Sequence, residues 1–113
     1  MINQGDIIWL DLDPQSGHEQ KGRKPVIVVS SSEFHLITGN KLAMVCPITN
    51  TGRAYLLHVE LDKQTHTTGF IMCEQAKVLD ITTRNCKFIE KAPRALLVSV
   101  LNRVQAISLL DAE

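Results

Sequence analysis

From Asp6 to Ile89 the chain repeats one arrangement: a short aliphatic run, then a cluster of turn-forming residues. Only after Pro93 does the hydrophobic period change. Leu97, Val100, Leu101, Val104, Ile107 and Leu110 then follow helical spacing, with Arg94, Asn102, Arg103 and Gln105 on the polar side. Strands do not alternate with helices, so a parallel sheet built from crossover helices is excluded, and the sheet is expected to be mostly antiparallel. The predicted class is mainly β with a C-terminal α-helix: a small barrel-like or strongly curved sheet, with the helix packed on it.

The runs are readable one by one. Asp6–Leu12 reads as a strand closed by the turn signal Asp13-Pro14. Pro25–Ser30, PVIVVS, reads as a buried strand. Ser31, Ser32 and Glu33 can cap a single helical turn through Phe34 and His35, which Thr38-Gly39-Asn40 ends. Leu42–Thr49, LAMVCPIT, is a third strand, in which Pro47 predicts an edge position or a bulge. Leu56–Leu61 alternates, with His58 and Glu60 opposite Leu57, Val59 and Leu61. Gln64–Gly69 is a polar loop, Phe70–Ile81 a long extended stretch, and Cys86–Ile89 a last short strand. Pro93 suits the first turn of a helix of roughly four or five turns.

At 113 residues and 44% hydrophobic content, one domain spanning 1–113 can bury a core without metals or disulfides. Twelve basic and twelve acidic residues balance, so there is no overall pull toward nucleic acid or acidic lipid. Local asymmetry remains: the segment from Arg84 to Arg103 sets five cations against Glu90, which allows a basic surface. Cys46, Cys73 and Cys86 are odd in number and widely spaced, which argues against zinc and against a secreted disulfide scaffold. No signal peptide and no membrane-spanning run is legible, and a reducing cytoplasm is the simplest setting.

The most unusual stretch is GHEQKGRKP, Gly17 to Pro25, which packs a histidine, a carboxylate, an amide and three cations between two strands. Together with GDIIWLDLDP before it, and CPITN and TTGFIMCEQAKVLDI after it, the stretch resembles the MazF/PemK (Kid) family of ribonuclease toxins from bacterial toxin–antitoxin pairs. The four blocks occur in order from Gly5 to about Ile81, and the C-terminal helix fits as well.

The resemblance implies a small SH3-like or CcdB-like barrel of antiparallel strands and a homodimer. It implies sequence-specific, metal-independent cleavage of single-stranded RNA, with no cofactor, leaving a 2′,3′-cyclic phosphate or its opened form and a 5′-hydroxyl. It also implies an antitoxin whose tail occupies the RNA groove. Such chemistry needs a base for the 2′-hydroxyl, an acid for the leaving 5′-oxygen, and cations against the charge of the phosphorane.

Carried over residue by residue, the resemblance assigns Glu19 as base or as the group that positions one, and His18 as a proton carrier near neutrality. It assigns Thr49 as a hydrogen-bond donor to the scissile phosphate, and Glu74 as base or RNA reader. Lys24 stands where the family usually has arginine, bringing charge without a planar two-donor fork, and Arg23 is the neighbour that can substitute. Met72 stands where the Kid-like branch has a further arginine. Lys21, Arg53, Lys63 and Gln75 are candidates for RNA contact, and the walls of the groove are expected at 16–24, 50–55 and 64–69. Trp9 can stack on a base, but strand alternation favours core or dimer packing.

Two rivals follow from the same residues. A family member with a weakened cationic site would bind RNA or antitoxin without cutting. A gyrase poison of the CcdB type would depend on a hydrophobic C-terminal ending, whereas this chain ends Leu-Leu-Asp-Ala-Glu.

Overall fold

The structure, a computed structural model, describes residues 1–12, 22–109 and 111–112. Seven strands form one antiparallel sheet: β1 (Asp6–Asp11), β2 (Arg23–Val28), β3 (Leu42–Thr49), β4 (His58–Glu60), β5 (Phe70–Met72), β6 (Lys77–Asp80) and β7 (Lys87–Lys91). Their order is β4-β5-β3-β2-β1-β7, with β6 also paired to β3. A short helix α1 (Ser32–Ile37) leads into β3, and the long helix α2 (Arg94–Ile107) closes the chain. The expected mainly-β architecture with one long C-terminal helix is therefore present.

Strand alternation fills both faces of the sheet centre. Ile7, Ile27, Cys46, Ile48 and Ile71 lie on one face, where Leu97, Val100, Leu101 and Val104 of α2 cover them. Ile8, Leu10, Val26, Val28, Ala43 and Val45 lie on the other, against Ile81 and Leu79. A sheet buried on both faces reads as unbroken aliphatic runs, which is why PVIVVS and LAMVC lack a polar alternate. Along α2, Val100 is fully buried and Ile107 is exposed, so the apolar stripe weakens at the last turn. Leu110, expected to continue it, lies outside the described residues.

Local signals hold at α1. The Ser31 hydroxyl accepts the Phe34 N–H as the expected cap, and Gly39 and Asn40 both take positive φ to end the helix.

Three expectations need correction. Pro47 is on neither an edge nor a bulge: β3 is the most connected strand, and Pro47 pairs with Val26 and is buried. It is tolerated because β3 changes partners on its other side at that point. Pairing to β6 ends at Val45 and pairing to β5 begins at Ile48, so no ladder bond there requires its missing N–H. The stretch Phe70–Ile81 is not continuous either. Cys73–Gln75 forms a 3-10 turn between β5 and β6, and Ile81–Thr83 another. Last, the cations between Arg84 and Arg103 do not form one free surface. Arg84 donates to the carbonyls of Asp11 and Leu12, Lys91 pairs with buried Asp6 at 2.8 Å, and Arg103 donates to the Leu56 carbonyl.

Candidate functional site

The β2–β3 ladder ends at Val26 and Pro47. Two residues beyond, at the same end of the sheet and on the same face, stand Lys24 and Thr49. Thr49 pairs with Phe70, and Phe70 pairs with Glu60, while Met72 one row along pairs with His58. Paired residues share a face, so Lys24, Thr49, Phe70, Met72, His58 and Glu60 form one continuous outer surface.

Thr49 is held at the tip of β3. Its Oγ1 lies 2.9 Å from Thr51 Oγ1 and accepts the Thr51 N–H at 3.2 Å. Two glycines press against it. A Cβ on Gly69, whose φ is +118°, would come within 2.5 Å of the Thr49 carbonyl oxygen, and one on Gly52 within 3.0 Å of its Cγ2. The loop 50–55 and the loop 64–69 meet here as well, since Thr68 Oγ1 donates to Asn50 Oδ1 at 2.9 Å. These are two of the three expected walls. In the third, at 16–24, only Gly22–Lys24 are described, and His18, Glu19 and Lys21 lie outside the described residues.

Arg23 does not join Lys24. Its guanidinium sits 5.4 Å from the centroid of the Trp9 ring, on the opposite face of β2. Trp9 is correspondingly not core: it is 37% exposed and lines a cavity of about 300 Å³ with Pro25, Asn50, His66, Thr68 and Ile89. Lys63 is exposed in the turn that follows Leu61. Its neighbours Asp62 and Gln64 flank a cleft beside the first turn of α2, with Pro93 and Leu96. Arg53 is exposed on the 50–55 loop, adjoining the site.

Glu74 and Gln75 lie on the 3-10 turn rather than on an extended stretch, and both are exposed. Glu74 has a partner that the sequence did not suggest: its Oε2 lies 3.1 Å from His58 Nε2. The other ring nitrogen, Nδ1, donates to the Arg53 carbonyl at 3.0 Å. The imidazole packs edge-on to Tyr55 at 5.0 Å and tilted against Phe70 at 6.3 Å. Burial alone would lower the His58 pKa, but the Arg53 carbonyl and the Glu74 carboxylate outweigh it, and the net shift is upward from 6.5. A histidine whose two ring nitrogens both face acceptors therefore stands directly across from Met72, the position that supplies no cation. Only the pairing of β4 with β5 reveals this. The available signal was a histidine sharing the polar face of the Leu56–Leu61 alternation with Glu60.

Among the described residues, no helix is long and apolar enough to cross a membrane. The surface as a whole combines a cation, a hydroxyl donor, a carboxylate and a histidine on a shallow face rimmed by Tyr55 and Phe70. Such a set can grip a phosphodiester and move a proton.

Known proteins share the sequence pattern and the fold of this chain. Residues 3–108 match the family model described as PemK-like, MazF-like toxin of type II toxin-antitoxin system. The endoribonuclease PemK of Escherichia coli is 34% identical over 110 residues, covering 94% of this chain and 81% of that protein. The crystal structure of MazF from Deinococcus radiodurans superposes with a TM-score of 0.80 at 29% identity, covering 94% of each chain. A chain of the MazE–MazF crystal structure from the same organism has the same fold, with a TM-score of 0.77 at 24% identity, covering 94% of this chain and 93% of that one.

Proposed function

This chain belongs to the PemK-like, MazF-like family of type II toxins, and on that premise we propose that the Lys24–Thr49–Glu74 face is the site where it cuts RNA. The protein is an endoribonuclease toxin, and its partners are single-stranded RNA and a cognate antitoxin. It inhibits translation and growth by cutting mRNA. The observation that carries the site is the convergence of Lys24 and Thr49 at one end of one face, with Glu74 linked to that face through His58 and Phe70.

The chemistry follows from what these groups can do. Lys24 offsets charge on the phosphorane, and the Thr49 hydroxyl donates to a non-bridging oxygen. Glu74 takes the 2′-hydroxyl proton, and the 2′-oxygen attacks the adjacent phosphorus. The P–O5′ bond breaks, a proton reaches the departing 5′-oxygen, and a 2′,3′-cyclic phosphate and a 5′-hydroxyl remain. His18, a few positions before Lys24 in the sequence, supplies the proton to the leaving group, and Glu19 positions the base. Arg53, Lys21 and Gln75 hold flanking nucleotides. No metal or cofactor takes part in this scheme. The protein acts as a homodimer in the cytoplasm, and the antitoxin silences it with an acidic or amphipathic tail that competes with RNA phosphates for the same cations.

The test is direct. Purified protein is incubated with a long mixed-sequence single-stranded RNA in the presence of EDTA, and the ends are mapped. Discrete cuts at one short motif with 5′-hydroxyl termini are expected. Intact RNA, or cuts that need a divalent ion, would refute the scheme.

A further inference from the structure

Both ring nitrogens of His58 face acceptors when Glu74 is a carboxylate. A backbone carbonyl only accepts, so Nδ1 must carry a hydrogen to bond Arg53 O at 3.0 Å. A carboxylate also only accepts, so Nε2 must carry a second hydrogen to bond Glu74 Oε2 at 3.1 Å. Both contacts are satisfied together by the imidazolium with an ionised Glu74. The neutral ring keeps one of them and turns a lone pair toward the other acceptor.

The ring is also well seated. The His58 side chain is 11% exposed, against 31% for Glu74, so the histidine is the fixed partner and the carboxylate the accessible one. Tyr55 and Phe70 hold the ring plane from two sides. Other charged and titratable groups near it do not compete for its nitrogens. Cys73 adjoins Glu74 on the 3-10 turn, Glu60 is exposed two residues along β4, and the Arg103 guanidinium of α2 is bonded to the Leu56 carbonyl and to Ser99.

We propose that protonated His58 is a positioning residue for cleavage: it clamps one oxygen of Glu74, leaving Oε1 to face the groove, and ties the Arg53 loop to the same point. This rests on the ribonuclease reading of the face. It adds that losing one proton from His58 releases the carboxylate and the loop wall together. The loss of activity on the alkaline side should then track His58 rather than Lys24. The upward pKa shift places that transition above the ordinary histidine value of 6.5.

Two measurements on the full-length protein test this. The first follows the histidine ring resonances by NMR against pH, with His58→Gln used to assign the His58 signal. His58 should titrate above 6.5, and in Glu74→Gln its midpoint should fall. The second measures kcat and KM on the mixed-sequence RNA between about pH 5.5 and 9. The wild-type kcat should decline through the His58 midpoint. His58→Gln should lose about tenfold or more in kcat, with KM within about threefold, and should lose the part of the decline that follows the His58 midpoint. His58→Arg, which keeps a permanent cation, should recover part of the rate and likewise lack that part of the decline.

A His58→Gln enzyme with wild-type kcat, or one whose pH profile matches that of wild type, would overturn the proposal. A His58 midpoint that does not move in Glu74→Gln would also overturn it. Wild-type protein that leaves RNA intact at every pH would instead remove the ribonuclease reading, and the positioning role with it. The two failures are therefore distinguishable.

Discussion

Arg23 and Lys24 are adjacent, yet they serve opposite faces of β2: the Arg23 guanidinium lies over Trp9, while Lys24 lies on the face that carries Thr49. The two cations of the RKP stretch are thus not interchangeable. Lys24→Ala should reduce cleavage on the order of a hundredfold, the usual cost of removing one contact to developing charge. Arg23→Ala should keep cleavage within a few-fold and lose about 0.5–1 kcal/mol of stability from the exposed stacking contact. Lys24→Arg should hold or raise the rate, because it adds a planar donor pair at the same charge. Single-turnover cleavage and urea denaturation of the three variants decide the matter. A larger kinetic loss in Arg23→Ala than in Lys24→Ala would reverse the assignment.

Thr49 donates or accepts within a small hydroxyl cluster with Thr51, at the accessible end of β3. Thr49→Ala should cut activity strongly while costing about 1 kcal/mol in stability. Thr49→Ser should retain most of the rate. Wild-type cleavage by the alanine variant would remove Thr49 from the site.

Gly69 is the tightest backbone approach in this region, with positive φ and the Thr49 carbonyl where a Cβ would go. Gly69→Ala should destabilise the fold by about 1–3 kcal/mol. It should also displace the tip of β3, lowering kcat beyond what the stability change explains. Thermal melting and cleavage rates on the same samples separate the two effects. A variant with unchanged melting would show that the backbone relaxes freely there.

Glu90 accepts the Thr67 hydroxyl and the N–H groups of His66 and Thr67. Burial alone would raise its pKa, but these hydrogen bonds outweigh it, and the net shift is downward from 4.5. The folded value is depressed, so the contribution to stability is complete above the unfolded value of 4.5 and disappears as pH falls through the lower folded value. Denaturation curves at neutral and acidic pH should show this loss in wild type, and a smaller pH-dependent loss in Glu90→Gln. Parallel pH dependence in the two proteins would count against the contact.

The three cysteines should differ sharply in reactivity. Cys46 and Cys73 are fully buried, and Cys46 is pushed well above the usual thiol range by its hydrogen bond with Cys73 and by burial. Cys86 is exposed. A thiol-labelling reagent should modify one site in the native protein and three after unfolding. Two or more fast sites in the native state would contradict the packing.

The order of elements was legible up to β5, because the central strands are aliphatic runs and the breaks before β2, β3, β4 and β5 carry Gly, Asn or Pro. The pairing was not. Pro47 reads as an edge signal in any single-chain window, and only the change of partner from β6 to β5 beside it explains its central place. Glu74 and Gln75 look like strand residues because MCEQAKV has no turn signal. The turn is made by backbone bonds, with the Cys73 N–H donating to Leu57 and the Ala76 N–H to Cys73. His58 was unrecognised because its meaning depends on a neighbour 16 positions away, across a register that no local pattern encodes. Lys24 and Thr49 were singled out through ordered motifs, and the β2–β3 register puts those two positions at the same end of one face.

The sheet has one further property with a consequence in time. Its last ladder joins β1 to β7, pairing Asp6 with Lys91 and Trp9 with Lys87. During synthesis β1 must therefore wait for about 80 further residues before its second edge is covered by β7. Such long-range closure is slow, and it leaves an open strand edge during synthesis. A growth-inhibiting enzyme wired this way cannot complete its scaffold on a truncated nascent chain, and translation must reach its last strand before the product can attack translation.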